Sequence, residues 1–306
     1  MAEVRDWPGK RVLVTGASGF IGKHLVQQLR DRGAVTYAGT GPGHPVSHAP
    51  SSDLQWLPFD VCDADAVRTA TAAADPHVVF HLAATGVINS TVDPMQVLLV
   101  NTGGLINLLE TLRGTDVRRI VLVGTGHEYG SGEAREGLDP FSAYAASKVA
   151  AWAYGRAYWR RYGLPSVTVR PFQVYGPGQA RTALVPAAIR AALGGEDFPM
   201  TPGEQERDFV HVGDVVAGLM AAAEAQQVEG MSLDLGTGTG HTVRHVVDWI
   251  WRSTAARGEV QYGARSYRAG EPMRLVADAD RTAALIGWRA GTSLTAGLSD
   301  TIERLR

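Results

Sequence analysis

A short apolar run, Arg-Val-Leu-Val-Thr at 11–15, leads directly into Gly16-Ala17-Ser18-Gly19-Phe20-Ile21-Gly22, after which Ile21, Leu25 and Leu29 recur at helical spacing. Strand, glycine turn and helix in that order constrain the fold more than any other feature of the chain. Glycines, lacking Cβ, allow a tight turn, let the backbone approach a pyrophosphate and bring the helix close to the strand. The helix N-terminus adds free N–H groups and a positive dipole end. The spacing is Gly-x-x-Gly-x-x-Gly, not Gly-x-Gly-x-x-Gly, so taken alone the match also describes an ordinary glycine-rich βα loop.

Four more β-branched runs, at 35–39, 77–82, 119–124 and 165–170, alternate with helix-length segments. That rhythm predicts an α/β fold, a doubly wound parallel sheet with right-handed crossovers, and ligands gathered at the carboxyl ends of its strands. After Arg170 the pattern breaks into Tyr175-Gly-Pro-Gly178 and Gly194-Gly195, with a helical stretch at 183–193 between them. A helix at 215–225 and a strand at 231–235 then bring the chain back to the sheet before it leaves at Gly236. The expected organisation is a dinucleotide-binding domain over 1–172, to which the chain returns at about 207–236. A smaller C-terminal substrate domain is assembled from 173–206 and 237–306. There is no internal repeat.

At 306 residues, against roughly 100–200 per domain, the chain has room for this arrangement. Its 29 basic and 31 acidic side chains leave a net charge of −2, no field for nucleic acid or an anionic membrane. Cys62 is the only cysteine, which rules out an intramolecular disulfide and a cysteine-cluster metal site; no metal is expected. No apolar stretch approaches the roughly 18 residues of a membrane helix, and the first ten residues carry Glu3, Arg5, Asp6 and Pro8. The expectation is a cytoplasmic protein.

Candidate groups cluster after successive strands. Phe59-Asp60-Val61 closes one run, where a carboxylate and adjacent backbone would meet an adenine edge, and His81-Leu82-Ala83-Ala84 closes the next. Taken singly, Asp60 reads as a solvated loop acid and His81 as a satisfied core histidine. Tyr144 and Lys148 stand four apart on a helix pattern, one face and one ligand's reach, and Thr125 lies just past the run at 119–124. A tyrosine near pKa 10 is a poor acid–base group at neutral pH, and a neighbouring ammonium favours its phenolate. A lone Tyr/Lys pair would be structural; beside the glycine turn it points to catalysis.

With these residues the chain resembles the extended short-chain dehydrogenase/reductase family, in its nucleotide-sugar epimerase, dehydratase and ketoreductase branch. The resemblance spans nearly the whole length. It rests on 15–22, Asp60-Val61, His81-Leu-Ala-Ala84, Asn101, Thr125 with Tyr129-Gly130, Tyr144 with Lys148, the segment 170–178 with its Tyr-Gly-Pro-Gly end, 207–212 and Arg268-Ala-Gly-Glu271. It implies a Rossmann fold and a nucleoside-diphosphate sugar substrate. Tyr144 would exchange a proton with the sugar oxygen, Thr125 would hold that oxygen, and Lys148 would bind the nicotinamide ribose and depress the Tyr144 pKa. Cofactor contacts would come from Gly16, Ser18, Gly19, Phe20, Ile21, Gly22, Gly39, Thr40, Asp60, Val61, Leu82, Ala83, Ala84, Asn101, Tyr144 and Lys148. Substrate contacts would come from Thr85, Thr125, His127, Gln173, Arg207 and Arg268, the arginines gripping the diphosphate. The helix of Tyr144 and Lys148, which continues through Trp152, would pair with a second copy in a homodimer.

Departures from the family pattern refine the reaction. The run at 35–39 ends in Gly39-Thr40-Gly41-Pro42-Gly43-His44, without the acid that accepts hydrogen bonds from free ribose hydroxyls. This favours NADP(H) over NAD(H), with Thr40 or His44 as phosphate contacts, although the usual phosphate-binding arginine is missing too. Gly126 and His127 stand where sugar dehydratases carry an acidic pair; His127 or Glu128 would have to substitute. Gln173 replaces an asparagine that contacts the diphosphate. The leading expectation is reduction of a 4-keto-(deoxy)sugar nucleotide with Tyr144 as proton donor. A 4-epimerase holding NAD is the alternative, a dehydratase comes third, and a non-catalytic redox sensor has no need of Tyr144, Lys148 and Thr125.

Overall fold

Val12, Leu13 and Val14 are completely buried, which places the opening run at the centre of a sheet. The computed structural model describes residues 6–43, 51–87, 92–130, 137–268 and 270–306. Its first half runs β1 (Arg11–Thr15), α1 (Phe20–Asp31), β2 (Val35–Thr40), β3 (Leu54–Pro58), α2 (Ala64–Ala74), β4 (Val78–His81), α3 (Pro94–Leu98), α4 (Gly104–Leu112), β5 (Arg119–Val123), α5 (Ala143–Tyr162) and β6 (Ser166–Pro171). The second half runs β7 (Gln173–Tyr175), α6 (Leu184–Gly194), β8 (Phe198–Met200), β9 (Glu206–Arg207), β10 (Phe209–His211), α7 (Val212–Glu224), β11 (Ser232–Leu235), β12 (His241–Thr242), α8 (Val243–Thr254), β13 (Val260–Tyr262), β14 (Arg274–Leu275), α9 (Ala279–Ile286) and α10 (Leu294–Glu303).

Seven strands form one parallel sheet in the order β11-β6-β5-β4-β1-β2-β3. The order reverses between β1 and β4, so a crevice opens at their carboxyl ends, where an α/β sheet of this kind takes its ligand. One face is covered by α1 and α7 around Leu25, Leu29, Val215 and Leu219, the other by α2, α4 and α5 around Val67, Leu105 and Ala151. Leu25 and Leu29 are fully buried, each worth about 1.5–3 kcal/mol. A separate apolar cluster gathers Val185 and Ile189 of α6, Val246 and Ile250 of α8 and Leu298 of α10.

Most boundaries shift by a single residue from the sequence pattern, and two differences bear on the site. β3 ends at Pro58, so 59–61 is the loop beyond the strand. α7 starts three residues earlier than its apolar period, because the His211 ring accepts the Gly213 N–H at 3.3 Å and caps the turn. β11 pairs parallel with β6, from Ser232 opposite Thr168 to Leu235 opposite Pro171, which returns the chain to the main sheet as expected.

Candidate active site at the strand ends

Gly16 adopts φ +69°, and a Cβ there would lie 2.7 Å from the Ala83 nitrogen; at Gly22 it would lie 2.3 Å from the Gly16 oxygen. Both positions therefore exclude a side chain, and the turn sits tight against β4 and its own helix. Gly19 is the N-cap of α1 without a side-chain cap, and no acidic residue occupies the first turn. The first-turn N–H groups are thus open to an anion such as a diphosphate. The Ala17 N–H donates to the Gly39 oxygen at 3.0 Å, tying the turn to the end of β2. A Cβ on Gly39 would meet the Phe59 ring at 2.7 Å, and Thr40 is buried. His44 lies outside the described residues, as do positions 88–91 of the stretch expected to shape the sugar pocket.

Asp60 turns its carboxylate on the Cys62 N–H at 2.9 Å and shapes the loop after β3, while Val61 packs under Gly104. At the end of β4, His81 Nδ1 and Thr15 Oγ1 are 2.8 Å apart, and the Ala83 N–H donates to the same hydroxyl at 3.2 Å. Burial, with the Lys148 charge second, pushes the His81 pKa down to about 3. His81 is therefore neutral and buried, with Nδ1 on Thr15 but Nε2 without a partner, so it is not the fully satisfied core histidine of its single-residue reading. Leu82, Ala83 and Ala84 follow along the crevice. Asn101 occupies a single π-type turn, Leu99–Gly103, between α3 and α4. Its amide accepts the Thr85 N–H at 2.8 Å and donates to the Thr85 oxygen at 3.0 Å and to Ser147 Oγ at 2.9 Å.

Thr125 starts a 3-10 turn, Gly126–Tyr129, just beyond β5, and Ser142 caps α5 by accepting the Ala145 N–H. These two elements set Tyr144 beside Thr125, close enough for the Thr125 side chain to act on the phenol. Lys148 lies one turn further on, its Nζ 5.9 Å from the Tyr144 ring centre and donating to the Val123 oxygen at 2.8 Å. The three expected catalytic groups are thus together. The expected depression of the Tyr144 pKa is not what the protein presents. Tyr144 is half-buried; burial raises its pKa far above the ordinary value, the Glu128 charge adds to this, and only the Thr125 side chain opposes it. Burial likewise lowers Lys148 to about 8, against the pull of Glu128.

Glu128 is fully buried and closes a capping box: one carboxylate oxygen accepts the Thr125 N–H at 2.9 Å, the other the Arg170 Nε–H at 2.7 Å. Arg170 also donates to the Tyr129 hydroxyl at 3.1 Å, which donates in turn to Asp234 at 2.8 Å. Sequence reasoning left Glu128 undecided and gave Arg170 and Asp234 no role. The available signal was a guanidinium at the end of an otherwise uncharged strand, which demands a buried partner.

A small cavity beside this cluster is lined by Gly126, His127, Phe172, Gln173, Arg207 and Leu275. His127 Nδ1 lies 3.2 Å from Thr125 Oγ1, and burial, with the charges of Arg207 and Arg268 behind it, lowers its pKa to about 4. Arg207 is buried and donates to Glu271 at 2.5 Å and to the Glu206 oxygen at 2.8 Å; Arg268 is exposed. Glu271 stands 64 residues from Arg207, and nothing in the sequence pairs them. Among the described residues, no cluster of three or more His, Cys, Asp or Glu could hold a metal ion.

Residues 12–236 match the model of the NAD dependent epimerase/dehydratase family. The chain belongs to this family. It is an epimerase/dehydratase-type enzyme of the short-chain dehydrogenase/reductase kind. It is 31% identical to the UDP-glucose 4-epimerase of Mycolicibacterium smegmatis over 97% of this chain and 98% of that one. Its fold matches UDP-glucose 4-epimerase from Thermotoga maritima, solved with UDP-glucose, at a TM-score of 0.89 and 27% identity over 96% and 97% of the two chains. It also matches MoeE5, solved with UDP-glucuronic acid and NAD, at 0.87 and 32% over 96% and 98%. In this chain no helix among the described residues is long and apolar enough to cross a membrane.

Proposed function

We propose that this enzyme moves a hydride and a proton at carbon 4 of the sugar in a nucleoside-diphosphate sugar, with NAD, and works in both directions as a 4-epimerase. The observation that carries the reading is the placing of Tyr144 beside Thr125 with the Lys148 Nζ 5.9 Å from its ring, at the crevice into which the Gly16–Gly22 turn opens. The likeness to UDP-glucose 4-epimerases supports it. NAD, when bound, supplies a nicotinamide ring that takes up hydride and returns it.

The residues of the chain do the rest. Gly16, Ser18, Gly19, Phe20, Ile21 and Gly22 hold the pyrophosphate against the open N-terminus of α1, Asp60 and Val61 meet the adenine, and Leu82, Ala83, Ala84 and Asn101 form the wall. Lys148 binds the nicotinamide ribose. As the C4–H bond breaks with loss of hydride, the hydroxyl proton passes to the phenolate form of Tyr144, which must first have lost its own proton, and the carbon–oxygen double bond forms. Tyr144 returns the proton when hydride comes back to the opposite face, and Thr125 holds the reacting oxygen throughout. Such acid–base help is worth roughly 10²–10⁴ in rate. Arg207 and Arg268 hold the diphosphate, with Thr85, His127 and Gln173 around the sugar. In this reading 1–172, with the return at about 207–236, holds the dinucleotide, and 173–206 with 237–306 holds the nucleotide sugar.

A second reading, reduction of a 4-keto sugar nucleotide by NADPH, is favoured by two observations. The Gly39-Thr40-Gly41 end of β2 carries no carboxylate to repel a 2′-phosphate, and Tyr144 is held as a phenol, ready to donate. Incubation with UDP-glucose and NAD, and separately with a 4-keto sugar nucleotide and NADPH, decides between them. Epimerised sugar without net cofactor turnover supports the first, stoichiometric NADPH loss the second. Full activity of Tyr144→Phe in both assays would falsify the enzyme assignment, and equal loss of dinucleotide and nucleotide-sugar binding in Arg207→Ala would undo the two-site division.

A further inference from the structure

The proton donor of this site is backed by a carboxylate that the reaction scheme does not use. Glu128 has no exposed surface, and both of its oxygens are engaged, one on the Thr125 N–H and one on the Arg170 Nε–H. Thr125 is consequently fixed twice: its N–H rests on Glu128, and its Oγ1 accepts the His127 N–H at 3.3 Å. The packing leaves no slack, since a Cβ added at Gly124 would lie 2.3 Å from the Glu128 carboxylate. Glu128 thus fixes the backbone that carries the hydroxyl, and the His127 N–H and Nδ1, at 3.3 and 3.2 Å, meet the hydroxyl itself.

We propose that Glu128 is a positioning residue for the proton step: it aims the Thr125 hydroxyl at Tyr144 and holds a buried negative charge beside the Tyr144/Lys148 pair. The inference rests on the reading of Tyr144 as the proton-exchanging group. Tyr144 faces Thr125 and Glu128 from the turn after β5 and Lys148 from its own helix; Lys148 also faces the neutral His81 at the end of β4. Burial is the larger influence, favouring phenol at Tyr144 and amine at Lys148; the carboxylate adds to the first and opposes the second, stabilising phenol over phenolate and ammonium over amine. A site so biased delivers a proton to a sugar oxyanion readily and takes one from a sugar alcohol only as the pH rises. Arg170, at 2.7 Å, gives the buried carboxylate its ion-pair partner.

Glu128→Gln keeps the shape and an acceptor for the Thr125 N–H but removes the charge. With UDP-glucose and NAD as the probe, the rising alkaline limb of C4 oxidation should move to lower pH, by roughly tenfold in proton concentration. Asp234→Asn loosens the same buried network from its far end and should leave the limb where the parent has it. A limb that stays put in Glu128→Gln, or moves equally in Asp234→Asn, overturns the proposal. If Glu128→Gln does not fold, Glu128→Gln with Arg170→Met removes both charges together, and a smaller shift in the same direction is expected, since the two fields oppose each other; the absence of any shift overturns the proposal. A second readout needs no turnover: the ultraviolet phenolate signal, taken as the difference between each protein and its Tyr144→Phe counterpart, should emerge at lower pH without Glu128. An unchanged signal refutes the proposal even if UDP-glucose proves not to be a substrate, whereas an active Tyr144→Phe variant would instead remove the functional reading beneath it.

Discussion

Asn101 holds both main-chain groups of Thr85, accepting its N–H at 2.8 Å and donating to its carbonyl at 3.0 Å, while the same amide nitrogen reaches Ser147 on α5. The loop after β4 is thereby pinned to the helix that carries Tyr144. Asn101→Ala strips three hydrogen bonds from a buried position, and the polar groups left behind cost about 1–3 kcal/mol. Urea unfolding should show that loss, and NAD binding followed by calorimetry should weaken because the crevice wall is freed. Unchanged affinity would mean that the pin serves stability alone.

The glycine turn yields a sharper expectation. Gly22→Ala would put a methyl 2.3 Å from the Gly16 carbonyl, and Gly16→Ala would also force a side chain onto a φ of +69°. Overpacking at such sites costs about 1–3 kcal/mol, and the shift it forces is in the backbone that faces the diphosphate. Both variants should lose dinucleotide binding, measured by fluorescence quenching, by a larger factor than they lose thermal stability. Gly9→Ala, at φ +73° but with open space around its Cβ, is the control for backbone strain alone.

These contrasts show what was legible in the chain. Period and turn chemistry are local, so the five strand–helix alternations, the glycine turn and the Tyr144/Lys148 pairing could be read directly. The strand at 231–235 could be placed because apolar runs of that length seek the sheet. The Glu128–Arg170–Tyr129–Asp234 network joins positions up to 105 residues apart in a single bond, and nothing local announces it. The state of Tyr144 is hidden in the sequence for the same reason. Spacing on one helix shows Lys148, whereas burial and a carboxylate from another turn raise the phenol's pKa.

His81 carries a pH signature with a definite sign. Its ordinary pKa of 6.5 falls to about 3 in the folded protein, so between those values the unfolded chain binds a proton that the folded chain refuses. Stability tied to this group is complete above about pH 6.5 and declines as the pH drops towards 3, by at most about 1.4 kcal/mol per pH unit. His127, lowered to about 4, adds to the decline over the upper part of that window. Urea titrations at pH 7 and pH 5 should therefore differ less in His81→Asn than in the parent, even if the variant is less stable at both. Equal differences would show that His81 is not the group whose protonation opposes folding.

One exposed face remains to be accounted for. Met95, Leu98 and Leu99, at 58%, 43% and 54% exposure, project from α3 and the π-type turn that follows it, and Tyr154 and Tyr162 are exposed on the adjoining α5. Apolar side chains grouped in this way mark an association surface more often than a free one. The helix that bears Tyr144 and Lys148 lies under it, so pairing there would stiffen the catalytic helix. The expected outcome is a dimer in sedimentation velocity that Leu99→Glu converts to monomer, because a carboxylate at the centre of an apolar contact goes unpaired. The monomer should remain folded, since Leu99 supports no part of the core. If the parent sediments as a monomer at micromolar concentration, the face has another role and the homodimer expected from the helix of Tyr144 and Lys148 is wrong.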